Sequence, residues 1–344
     1  MKFVLAALFA TSAAALSEDA TSFLLKERYD AHLAQHGIER STEEKADRLA
    51  IFEKTIEKVT EANAALAAAG KDEVHGITKF ADYTEDEFKF FLGVDAHVRA
   101  PKLPVVELSE EDKLSATSGS FNWNDEGKLT AVKDQQQCGS CWAFSATETI
   151  ETAWALAGNT LTELSPQELV SCDKTDNGCN GGLPSNAFEY VKTRGGLAAD
   201  KDYPYTSGKG VTGTCVSDLP AVAGGSISDW GYAQTACQGF RACTEDTDTI
   251  ASALQKYGPM SIAIDASQWS SYTGGVMDSS SCDSSPRKMD HAVQLVGYNA
   301  DAETPYWIVR NSWNTNWGED GFIHLKMGEN TCGIANLAAL IKSV

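Results

Sequence analysis

The chain has 344 residues, with 28 Lys or Arg against 48 Asp or Glu and a formal net charge of −20. That balance argues against a nucleic-acid or anionic-membrane surface, since both need clustered basic residues. A content of 42% hydrophobic and 22% charged residues excludes a disordered or collagenous chain. The length exceeds one comfortable core, so two domains, or one large domain with an appended segment, are expected.

At the N-terminus, Lys2 is followed by an apolar run and then by small residues up to Ser17. This is the pattern of a secretory signal peptide, residues 1–16, cleaved between residues 15 and 17. No other apolar run reaches the roughly 18 residues of a membrane span. Entry into the secretory pathway means an oxidising lumen, where cysteines pair. The nine cysteines all lie between Cys138 and Cys332, and an odd number leaves one thiol over.

The early part is charged and helical in pattern. Leu49, Phe52, Ile56, Val59 and Leu66 form one apolar stripe on a helix that ends near Gly70. Thr84 to Glu87 fits a capping box, with Tyr83 and Phe88 as its hydrophobic staple. From Gly93 to Gly119 the pattern dissolves into Pro, Ser and charged residues, which predicts a linker.

The later part changes character. Residues 142–157 predict a buried helix starting close to Cys141. Ser165 (N-cap), Pro166 (N1) and Glu168 (N3) open another. Segments 260–264, 292–296, 306–310 and 321–326 are short and rich in branched or aromatic residues, and predict strands of an antiparallel sheet. Helices first and strands later is an α+β arrangement.

A thiol at Cys141 would stand at the positive end of the helix dipole, which lowers its pKa toward thiolate. Such a thiolate needs a proton carrier, and only His291 and His324 lie in the later part. Alternation places His324 on a solvated strand face, whereas His291 opens an apolar strand and can lean into a cleft. Asn311 can accept from the other imidazole nitrogen, shielded by the indole of Trp313. The Cys138/Cys141 pair alone would also suit a redox motif or half a zinc site. The first lacks a preceding βαβ pattern, and the second lacks another close ligand pair.

Cys138-Gly139-Ser140-Cys141-Trp142, followed by Cys179-Asn180-Gly181-Gly182, Asp290-His291-Ala292 and Asn311-Ser312-Trp313, resembles the papain family of cysteine endopeptidases, in its cathepsin L-like branch. The resemblance implies a two-lobed α+β fold, one lobe helical and one an antiparallel β-barrel. It makes Cys141 the nucleophile, His291 its acid–base partner, Asn311 the orienting amide and Gln135 an oxyanion-hole donor, with no metal or cofactor. Gly181 and Gly182 would pair with an extended peptide. Leu183, Pro184, Ala263, Met289 and Leu337, beside Asp290 and Trp313, fall where the family binds substrate, so a hydrophobic or aromatic P2 side chain is expected. The family pattern selects disulfides Cys138–Cys179, Cys172–Cys215 and Cys282–Cys332. Cys237 and Cys243 remain, in an insertion at residues 232–248, and their short separation suggests a local loop.

Glu44, Arg48, Phe52, Val59 and Asn63 resemble the family's prosegment helix motif, with Thr55 in a position where Asn is usual. Residues 76–82 resemble its second motif, with Thr78 again in an Asn position. The implied order is a helical inhibitory domain at 17–92, a linker through the cleft at 93–116 and a peptidase domain from Thr117. Residues 17–116 carry 13 basic and 22 acidic side chains, and residues 117–344 carry 14 and 26. Two net-negative parts need ion pairs between them, and the weakening of such pairs in acid predicts acid-triggered self-cleavage. The expected partners are protein and peptide substrates, the chain's own prosegment and the family's cystatin-like inhibitors. The expected state is a monomer in a lysosome, a vacuole or the extracellular space. The alternatives are an inactive papain-like binding protein and an inhibitor acting through its prosegment.

Overall fold

The computed structural model describes residues 18–94, 100–114, 118–216, 218–237 and 241–344. The expected signal peptide and the expected peptidase start at Thr117 lie outside these residues. No helix among them is long and apolar enough to cross a membrane.

Helices α1 (Glu18–His36) and α2 (Thr42–Ala68) cross first. Ser41 caps α2, its hydroxyl accepting from the Glu44 N–H while the Glu44 carboxylate accepts from the Ser41 N–H. The stripe buries Phe52 completely against Tyr29, Leu33 and Ala81, a small core of its own. Arg40 and Tyr29 both donate to the buried Asp82 carboxylate, which ties the following loop to this core. Helix α3 (Glu85–Phe88) has the expected capping box between Thr84 and Glu87. Tyr83 and Phe88, the expected staple, both pack on Phe80 and Phe91, and Phe88 also meets Trp313. Phe80, Phe88 and Phe91 are all buried, and they belong to the core of the C-terminal lobe.

The linker also departs from expectation. Ser109 and Asp112 cap one another and start a short helix, α4 (Glu110–Leu114). Before it, the Val106 N–H donates to the Tyr232 carbonyl, so this stretch lies along the sheet.

After β1 (Ser120–Asn122), the helical lobe is built from α5 (Cys141–Leu156), α6 (Pro166–Cys172) and α7 (Pro184–Arg194). Ser165 caps α6 through the Glu168 N–H, but the Glu168 side chain does not return to complete a box. It accepts instead from Arg194 and from the Ala198 N–H, joining α6 to α7.

The barrel lobe adds β2 (Asp229–Tyr232), α8 (Thr247–Tyr257), β3 (Met260–Ile264), β4 (Val276–Met277), β5 (His291–Asn299), β6 (Tyr306–Arg310), β7 (Phe322–Lys326) and β8 (Ala338–Ser343). Strand order is β2-β8-β3-β5-β6-β7-β4, with β1 on β5. All named pairs are antiparallel except β4 with β7, which is parallel and corrects the expectation of a wholly antiparallel sheet. His324 is not on a solvated face: its ring stacks on Tyr306 and Nδ1 lies 3.2 Å from the Glu319 carboxylate.

Helix α5 joins the lobes. Its Ser145 hydroxyl donates to the Val293 carbonyl of β5, and Thr149 meets Ser261 of β3. Arg310 of β6 lies 3.4 Å from Glu148, both fully enclosed. Glu151, also enclosed, accepts from the Thr130 hydroxyl at 2.6 Å, from the Leu164 N–H at 2.8 Å and from Lys133. Replacing it strands a buried ammonium and an amide. The variant Glu151→Ala is expected to lose about 3 kcal/mol of stability and roughly 8 °C of Tm, read by thermal unfolding.

Candidate active site

Cys141 opens α5 and is the one free cysteine among the described residues; the other eight form disulfides Cys138–Cys179, Cys172–Cys215, Cys237–Cys243 and Cys282–Cys332. The first of these fixes the turn before the helix against the strand-like residues 179–182, where the Gly139 N–H donates to the Cys179 carbonyl. The Cys141 sulfur accepts from the Ala292 N–H at 3.4 Å, which places it beside the first residues of β5.

His291 precedes Ala292 and is fully buried. Its Nε2 lies 2.8 Å from Asn311 Oδ1, an oxygen that also accepts from the Ser312 N–H and so cannot swap with the amide nitrogen without losing that bond. The imidazole therefore carries its proton on Nε2. Nδ1 has no partner among the described residues, so its lone pair is left for the thiol. Trp313 stacks on the imidazole, centroids 4.7 Å apart, and excludes water from the Asn311 bond.

Gln135 is buried. Its Oε1 accepts from the Ser312 hydroxyl at 2.7 Å, which aims Nε2 outward. The Tyr205 hydroxyl donates to the Gln135 carbonyl and meets Ser140 at 2.9 Å, holding the loop from below. Sequence reasoning missed Ser312 and Tyr205. Ser312 could have been found, since it stands between Asn311 and Trp313; Tyr205 is distant in sequence from every motif.

The prosegment occupies this site. Gln135 Nε2 donates to the Phe91 carbonyl at 2.9 Å, and the Gly182 N–H donates to the Gly93 carbonyl at 2.9 Å. The Val94 N–H donates to the Asp290 carbonyl, and the Gly93 N–H reaches the Cys141 sulfur. Gly93 presses so close that a Cβ there would lie 2.0 Å from the Gly139 carbonyl oxygen. Gly181, at φ 113°, faces the same Gly93 carbonyl. Beyond it, Leu183, Pro184, Ala263 and Leu337 line one small pocket, with Met289 in the same buried cluster. Tyr232, Ser185, Ser261 and Ala339 complete its wall and were not foreseen.

This cover reverses the expected electrostatics. Burial pushes the Cys141 thiol up to about 12, against hydrogen bonds from the Ala292, Gly93 and Trp142 N–H groups. Burial likewise pushes His291 down to about 4, opposed by the Asn311 bond. Burial thus opposes the helix dipole at this thiol and disfavours the charged form of both groups.

The prosegment is held elsewhere by pairs that cross between the two parts: Lys71–Asp278 at 2.6 Å, Lys79–Asp134 at 3.3 Å and Asp112–Lys256 at 2.8 Å. Thr78, standing where Asn is usual, donates to the Ser270 carbonyl across the same boundary. Thr55 bonds only within α2, to the Ile51 carbonyl.

Comparison with known proteins places this arrangement. Residues 117–341 match the family described as papain family cysteine protease, and residues 29–88 match the cathepsin propeptide inhibitor domain. Cysteine proteinase 1 of Dictyostelium discoideum is 36% identical over 315 residues, 87% of each chain. Cysteine proteinase A of Leishmania mexicana is 41% identical over 261 residues, covering 75% of this chain and 69% of that one. Among solved structures, digestive procathepsin L 3 from Tenebrio molitor larval midgut superposes with TM-score 0.75 at 28% identity, covering 93% of this chain and 99% of that one. The recombinant stem bromelain precursor gives 0.77 at 29%, covering 93% and 100%. The chain belongs to the papain family of cysteine proteases and carries its cathepsin-type inhibitory propeptide.

Proposed function

We propose that this chain is the zymogen of a cysteine endopeptidase of the secretory pathway, activated in acid by loss of its propeptide. The carrying observation is that residues 91–94 take the groups a substrate would use: the Gln135 amide, the Gly182 N–H and the space above the thiol. This segment pairs in parallel with Gly182. We read that as the reverse of a substrate's direction, so no carbonyl carbon is offered for attack.

Once the cover leaves, water returns and the Cys141 proton passes to His291 Nδ1. The thiolate attacks the scissile carbonyl, and the oxyanion is held by Gln135 Nε2 and the Cys141 N–H. The imidazolium protonates the leaving amine, leaving a thioester. His291 then takes a proton from water, which hydrolyses the thioester and frees the thiol. The pocket behind Leu183 and Ala263, apolar along its near walls, suits a P2 side chain with a hydrophobic or aromatic body. Four disulfides suit an oxidising compartment.

Among the pairs that cross the boundary, Lys256, with the capping bonds from Ser109, holds the Asp112 carboxyl down at about 2, so that pair survives mild acid and histidines carry the response in our reading. His32 instead is buried among Tyr29, Phe52 and His36, with neither ring nitrogen partnered. Burial first, then His36, push it down to about 4 from 6.5, with Arg40 adding to the shift and Asp82 opposing it. His36 and His75 are lowered by burial too, His36 also by Lys79. The unfolded propeptide therefore binds protons that the folded one refuses. Its stability falls as pH drops from about 6.5 toward about 4. In the peptidase lobes, burial raises Glu148, Asp176 and Asp290 to about 7. These accept protons in place and gain stability as pH falls, while His291, pushed down to about 4 by burial, opposes them over the same window.

Four outcomes are expected. Acidified full-length protein should lose about 100 residues, by the family's cleavage position, and gain thiol-dependent peptidase activity. Cys141→Ala should gain none, and activity retained in that variant would exclude the mechanism. His32→Phe, which fills the aromatic cluster without a titrating ring, should move the midpoint of self-processing acidward by about half a pH unit or more in a mass-versus-pH series. Gly93→Ala changes no peptidase residue, yet should raise peptide cleavage by unprocessed protein at neutral pH at least about tenfold, because the added methyl cannot coexist with the Gly139 carbonyl.

A further inference from the structure

The pocket behind Leu183 is not apolar at its far end. Tyr232 and Ser185 both line it, beside Leu183, Pro184, Ala263 and Leu337. Tyr232 lies opposite Ala339 in the β2–β8 register, which sends its ring to the same face as Leu337 and Ala339. Ser185 stands in the first turn of α7 and lines the same pocket as Tyr232.

In the zymogen the Tyr232 hydroxyl has an acceptor of its own. It donates to the Pro101 carbonyl of the propeptide at 3.0 Å. The neighbouring Ala100 is buried in the same cluster as Leu183, Tyr232, Ala263 and Leu337. The cavity between these walls is about 10 Å3, about the room of one water. Propeptide loss removes the acceptor of a donor that stands beside Ser185 and packs against Trp230, ring centroids 5.6 Å apart.

We propose that Tyr232, backed by Ser185, makes this pocket select peptides whose P2 side chain has an apolar body and a hydrogen-bond acceptor at its tip, tyrosine over phenylalanine and glutamine over methionine. The body lies against Leu183, Pro184 and Ala263, and the tip takes the place of the Pro101 carbonyl. A leucine or phenylalanine at P2 covers the hydroxyl without satisfying it, which costs binding.

The inference rests on the peptidase reading, so its test has two arms on the full-length protein activated by propeptide removal. The first arm compares kcat/KM for peptides differing only at P2, Tyr against Phe and Gln against Met. The second measures binding of the same peptides after the single free thiol, Cys141, is blocked as its methyl disulfide. The polar member of at least one pair should be favoured about fivefold in both arms. Tyr232→Phe should abolish that preference, and Ser185→Ala should reduce it, with thermal unfolding as the fold check on both variants. Equal use of both members of each pair, or a preference that persists in Tyr232→Phe, overturns the inference. Selective binding without cleavage leaves it standing and overturns the peptidase reading instead.

Discussion

Cys141 and His291 belong to different lobes, and everything else in this molecule serves the seam that keeps them together. The thiol heads a helix and the imidazole heads a strand. Neither element alone determines where the other lies. The register is set by polar links inside an otherwise apolar interface: Ser145 on the Val293 carbonyl, Thr149 on Ser261, Glu148 beside Arg310. Buried polar bonds are poor sources of net stability but strong sources of uniqueness, since a one-residue slip would leave each group without a partner. A purely apolar seam would tolerate sliding. A thiol–imidazole pair would not survive it.

The propeptide exploits the same fixed geometry. It adds no new chemistry to the site; it takes up the bonds already there and removes the water. Phe80 and Phe88 stand edge-on to Trp313, the ring that stacks on His291 beside its Asn311 bond, so one indole packs against both the imidazole and its cover. Burial disfavours the charged form of both the thiol and the imidazole.

Much of this was legible in the chain. The stripe from Leu49 to Leu66, the caps at Thr84 and Ser165, the helix at Cys141 and four strands follow from periodicity and turn chemistry. The site residues were legible because cysteine, histidine and asparagine lie in short motifs with distinctive neighbours. What stayed hidden depends on tertiary partners. Glu168 looks like half of a capping box until Arg194 and Ala198 are seen to need it. His324 looks solvated by alternation until Tyr306 and Glu319 close over it. Strands β2, β4 and β8 are short or carry mixed residues, and only their neighbours make them strands. The dipole argument for Cys141 took no account of burial, which dominates at this thiol.

The core around Phe52 is small: Tyr29, Leu33, Phe52 and Ala81 are its buried members, with Leu25, Ile38, Leu49, Ile56 and Ile77 packed against them. The segment's larger aromatic side chains, Phe80, Phe88 and Phe91, are buried in the other lobe's core instead. The propeptide therefore borrows part of its apolar interior from the lobe it covers, and the two are knit into one packed body rather than set side by side.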